Sequence, residues 1–121
     1  MNQFLMIFRG GAIAHKDVAP QQLQEHLAKW GVWMAELQKS GNVQGANALE
    51  NTGRTVRGSK KAVTDGPFTE AKELVGGFAI LRANSKEEAI QLAKDFLRVV
   101  GNGECELRQL YEADTCLGAT A

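Results

Sequence analysis

The chain has little from which to build a disulfide scaffold or a metal centre. Its two cysteines, Cys105 and Cys116, stand eleven positions apart. That spacing fits no zinc pattern, and two thiols do not make a disulfide framework. The two histidines, His15 and His26, have no partner at ligand spacing, so no metal is expected. No stretch approaches the ~20 apolar residues that a membrane span needs. The apolar run at the N-terminus is short and has no basic lead-in, so it reads as a strand and not as a signal peptide. An excess of one charge is also missing, because fourteen basic residues balance fourteen acidic ones. Such a balance argues against a protein that grips nucleic acid by neutralising phosphates. Arg54, Arg57, Lys60 and Lys61 do cluster, but a basic run this short is ordinary on an exposed hairpin. Gly10-Gly11 is followed by no phosphate-loop pattern, and no Ser-His-Asp or Cys-His arrangement has recognisable context. The expectation is a cytoplasmic protein with no cofactor, no membrane contact and no direct nucleic-acid binding.

What is present is enough for one domain: 121 residues, 44% of them hydrophobic. Residues 4–8 form a continuous apolar run of strand length, which suits a strand covered on both faces. Pro20 is well placed at the first position of a helix, and Gly41 is the natural stop. Between them Leu23, Leu27, Trp30, Met34 and Leu37 step by four and three along one face. His26 and Trp33 fall on the flank of that stripe. Two readings of His26 fit: an amphipathic edge residue partly covered by Trp30, or a titratable group facing a cleft. A short irregular strand is expected near residues 42–44. Residues 54–57 and 60–64 flank Gly58-Ser59, an acceptable two-residue hairpin turn. Residues 74–83 read as an inner strand, with Phe78, Ile80 and Arg82 on one side and Ala79 and Leu81 on the other. Ser85 with Glu88 is a capping box that opens a second helix, whose face carries Ala89, Leu92, Ala93, Phe96 and Leu97. A last strand is expected over residues 104–111, and residues 113–121 read as a frayed tail. The order β-α-β-β-β-α-β in a single domain predicts an α+β fold of ferredoxin-like theme with an inserted hairpin. Two helices cover only one sheet face, so the other face is expected to form a homodimer.

The stretch over residues 63–78 carries the functional signal. Asp65-Gly66-Pro67 is a strong turn, and Asp65 stands at the mouth of the loop. An Asp there either bonds its own turn or serves as a functional carboxylate. Asp65-Gly66-Pro67-Phe68, then Glu70-Ala71-Lys72-Glu73, then Gly76-Gly77-Phe78, resembles the signature of the DGPF family within the YCII-related superfamily. The resemblance spans residues 3–112. It implies a small ferredoxin-like domain that pairs into a dimeric α+β barrel. It also implies a histidine on the first helix, paired with an aspartate as an acid–base dyad. The family's histidine position falls at Trp30 here, and His26 lies one helical turn earlier, about 5–6 Å away.

Asp65 and His26 are therefore the candidate catalytic pair, with Trp30, Phe68, Arg57, Lys72 and Arg108 as candidate substrate-binding residues. Such a pair suits elimination, isomerisation or hydrolysis of a small organic molecule, and the carboxylate would raise the histidine pKa. Relatives that occur with extracytoplasmic-function sigma factors imply a second reading, a ligand-binding or transcription-linked module without chemistry. A third is a structural dimer in which Asp65 only shapes its loop.

Overall fold

The computed structural model describes residues 1–11, 13–14, 17–66 and 73–111. Strand β1 covers Asn2–Arg9 and is followed by helix α1, Pro20–Ser40, and strand β2, Val43–Ala48. A hairpin of β3, Gly53–Arg57, and β4, Ala62–Gly66, leads to β5, Val75–Ala83. Helix α2, Lys86–Val100, and strand β6, Glu104–Gln109, complete the described chain. The main sheet is antiparallel throughout and runs β2-β5-β1-β6. With the hairpin set aside this is the ferredoxin-like order, so the chain is α+β with two helices against one sheet.

Alternation along the central strands sorts the two faces of the sheet. Phe4, Met6 and Phe8 of β1 and Ala79, Leu81 and Ala83 of β5 are buried beneath the helices. They meet Trp30, Trp33 and Leu37 of α1 and Ala89, Ala93, Phe96 and Val100 of α2. The rings of Phe8, Trp30, Trp33 and Phe96 pack edge to face, with Trp30 and Trp33 at 4.7 and 4.8 Å from Phe96. Gly77 makes room for this cluster. A Cβ there would lie 2.4 Å from the Trp30 ring and 2.9 Å from the Asn47 carbonyl oxygen. On the opposite face the register places Leu5 beside Ile80 and Ile7 beside Phe78, all half-buried. Arg9 ties β1 to β6 on that face through Glu106, at 2.5 Å, and Glu104, at 3.6 Å.

Helix α1 departs from the expected stripe. Its buried residues are His26, Trp30, Trp33 and Leu37, while Leu23 and Leu27 are 41% and 44% exposed. The two indoles decide which face turns inward, because they remove more apolar area from water than the two leucines do. Pro20 opens the helix and Gly41 closes it in the left-handed conformation, as expected. Helix α2 is capped as its sequence predicts, with the Ser85 hydroxyl accepting from the Glu88 N–H at 3.2 Å. The Glu88 carboxylate instead accepts from the side-chain amides of Asn42, at 3.1 Å, and Asn84, at 3.4 Å.

Two further expectations are corrected. Strand β2 is twice the predicted length, with an irregularity between Val43 and Gly45, because pairing to β5 overrides the weak strand propensity of Gln44-Gly45-Ala46-Asn47. The hairpin turn has four residues, not two. Arg57 pairs with Ala62, and both Gly58 and Lys61 take positive φ, at 59° and 54°. The hairpin is a separate two-stranded sheet, and Val56 and Val63 face each other across it, both exposed.

Candidate functional site

His26 lies inside the core and not on its border, with 7% of its surface exposed. Its Nε2 accepts a hydrogen bond from the Trp30 indole N–H at 2.9 Å, one helical turn on, and its ring lies 6.1 Å from Phe8. An accepting Nε2 assigns the proton of the neutral ring to Nδ1. Burial lowers the His26 pKa below 6.5, and nearby Lys29 pushes the same way. This sign is opposite to the one a neighbouring carboxylate would produce. Trp30, expected at a substrate surface, is a core residue with its one polar atom used on His26.

Asp65 sits near the end of β4, directly across from Arg54 of β3. Its carboxylate is 3.0 Å from the Arg54 Nε, and its side chain is 80% exposed. Arg57 is exposed on the same hairpin, and Arg108 is exposed on β6 opposite Leu5. Phe68 and Lys72 lie outside the described residues. The structure therefore brings His26 to Trp30 and Asp65 to Arg54, and no contact among the described residues joins His26 to Asp65.

The same region does contain a concavity. A cavity of about 430 Å³ lies between α1 and the segment that leaves β2. Its apolar walls are Ile13, Val18, Leu23, Leu27, Ala48 and Leu49, and its polar contributions come from Asn47, Glu50, Asn51 and Thr52. The Asn51 side-chain amide donates to the Ile13 carbonyl at 2.7 Å, which joins the loop after β1 to the segment after β2. Leu49 donates its N–H to Gly76 at 2.8 Å, which fixes that segment against β5. The rim continues into the hairpin. Thr52 is followed by Gly53, and Gly53 pairs with Gly66, the neighbour of Asp65. Asp65 is on the second rung of the hairpin, paired with Arg54, which is two residues along the chain from Thr52 of the cavity wall.

Leu23 and Leu27 share the spacing of the core stripe, which hides them from a sequence reading as cavity walls. A signal was available: α1 carries more large apolar residues than one face can bury once two tryptophans occupy it. Among the described residues no group of three or more His, Cys, Asp or Glu side chains could hold a metal. No described helix is long and apolar enough to cross a membrane. Cys105 is a free thiol, and burial pushes its pKa up to about 12 despite the opposing pull of Arg9, which makes it a poor nucleophile.

No curated protein matches the chain. Among solved structures it is similar to a 5-chloro-2-hydroxyhydroquinone dehydrochlorinase from Burkholderia phenoliruptrix in complex with 2,5-dihydroxybenzoquinone. The similarity covers 93% of this chain and 97% of that one, with a TM-score of 0.50 and 16% identity, and it concerns the fold. The YCII-related domain matches residues 6–114, nearly the whole length, over the same strands and helices that build the sheet and its core, and the chain belongs to the YCII-related family.

Proposed function

We propose that this domain binds a small, mainly apolar organic molecule in the cavity between α1 and the end of β2. The observation that carries this reading is the turning of exposed leucines into one concavity. Leu23, Leu27 and Leu49 are each more than two-fifths exposed, yet all three line it. Apolar walls with a few polar groups are the usual make-up of a ligand site, and the volume falls in the usual range. The hairpin continues from the rim through Thr52 and Gly53, and its Asp65 carboxylate is exposed beside Arg54.

Binding is favoured over acid–base chemistry by a His26–Asp65 pair. Such chemistry needs both groups within reach of one substrate proton. His26 commits its Nε2 to Trp30, and Asp65 lies in an ion pair with Arg54 at the surface. A ring compound of the size bound to the solved neighbour fits within about 430 Å³, so hydroquinone, a neutral ring, is the first probe.

Isothermal titration with hydroquinone tests the reading when the parent is compared with Leu27→Trp, which fills the cavity from an exposed position. Saturable binding by the parent that is lost in Leu27→Trp is the expected result. Equal binding by both proteins would place the ligand elsewhere.

A further inference from the structure

A second cavity, of about 390 Å³, lies at another part of the sheet, where β1 begins and β5 and β6 end. It is lined in part by the amides of Asn2, Gln3 and Gln109, by Leu110 and Tyr111, and by Arg82. The register places Arg82 directly opposite Gln3, and the Leu110 N–H donates to the Gln3 carbonyl at 2.9 Å. The Arg82 backbone is fixed on both sides by Asn42. Its N–H donates to the Asn42 carbonyl at 2.7 Å, and its own carbonyl accepts from the Asn42 side chain at 2.8 Å.

Arg82, like Arg57 and Arg108, has no ion pair among the described residues, whereas Arg9, Arg54 and Arg98 each hold a carboxylate; of the three unpaired arginines, Arg82 lines this cavity. No described acidic residue lines its cavity. A guanidinium fork matches a carboxylate with two parallel hydrogen bonds. The surrounding amides add neutral donors and acceptors, and Met1, Leu110 and Tyr111 offer apolar surface to the rest of a ligand.

We propose that this cavity binds the carboxylate end of a small organic acid, with Arg82 as its anchor. The inference is independent of the cavity beside α1. An amide NMR titration with benzoate tests it, with benzamide as the uncharged counterpart. Benzoate should produce saturable shifts at Gln3, Arg82, Leu110 and Tyr111, and benzamide should not.

Arg82→Gln should weaken benzoate by about tenfold or more, the scale of one charge-assisted hydrogen bond. Arg82→Lys should fall between the two, since it keeps the charge and loses the fork. Arg82 is exposed, so both variants leave the core intact, and their spectral dispersion checks this. Equal shifts with benzamide, or unchanged benzoate affinity in Arg82→Gln, would overturn the proposal. So would inorganic phosphate binding as well as benzoate. A change in the sedimentation of Arg82→Gln without any saturable benzoate shift in the parent would assign Arg82 to an interface, and would also overturn it.

Discussion

The indole N–H of Trp30 donates to Nε2 of His26 across one turn of α1, and both side chains are buried. The bond satisfies two polar atoms that would otherwise be costly in an aromatic core. It also fixes the ring as the neutral Nδ1–H form. Protonation at Nε2 would turn the acceptor into a donor and break the bond. Trp33 has no such partner among the described residues, where its buried indole N–H finds no acceptor.

Acid should therefore destabilise this protein through His26. Its folded pKa lies below its ordinary value of 6.5. Well above pH 6.5 neither the folded nor the unfolded chain binds this proton, and the group contributes no slope. As the pH falls below 6.5, the unfolded chain takes up a proton that the native ring refuses, so stability declines. The decline ends once the native ring also titrates. Urea melts between pH 8 and pH 5 should show this loss, and His26→Gln should reduce it. A ring pKa at or above 6.5 by NMR would contradict the burial account.

Asp65→Asn should change stability by no more than about 1 kcal/mol, because the pair with Arg54 is exposed. The His26 titration curve should be the same in parent and variant. A downward shift of the His26 pKa in Asp65→Asn would restore the acid–base pair that the sequence suggested.

Gly77→Ala should cost about 1–3 kcal/mol, the scale of overpacking, because the new methyl meets the Trp30 ring and a backbone oxygen together. Gly76→Ala should cost less, since its nearest neighbour is a Phe8 ring carbon at 3.4 Å. Thermal unfolding of the two variants checks the order. Equal melting temperatures would mean that Trp30 packs loosely over Gly77.

The sheet face opposite the helices is expected to form a homodimer, because Leu5, Ile7, Phe78 and Ile80 lie together there and neither described helix covers them. Sedimentation at micromolar concentration should report about twice 13.1 kDa for the parent and a monomer for Ile80→Lys. A monomeric parent across that range would remove this expectation.

The fold was legible wherever periodicity and caps agreed. Pro20, Gly41, Ser85 and the alternation of Phe78 to Arg82 each placed an element where the structure has it. The site was less legible for two physical reasons. Leu23 and Leu27 share helical spacing with Trp30, and sequence spacing alone does not say that the indoles will claim the inner face. A turn signal at Asp65 likewise locates a strand end but not the partner of its carboxylate, which the cross-strand register supplies as Arg54. In the sequence Gly77 shows only as part of a Gly-Gly-Phe motif. Its steric role depends on an indole that arrives from a distant helix.

The most direct test of the central claim is an amide NMR map of hydroquinone binding to the intact protein. Saturable shifts confined to Ile13, Val18, Leu23, Leu27 and residues 47–52, together with contacts from ligand protons to the leucine methyl groups, are the predicted result. Shifts centred on Phe78 and Ile80, or no saturable shift at all, would contradict it.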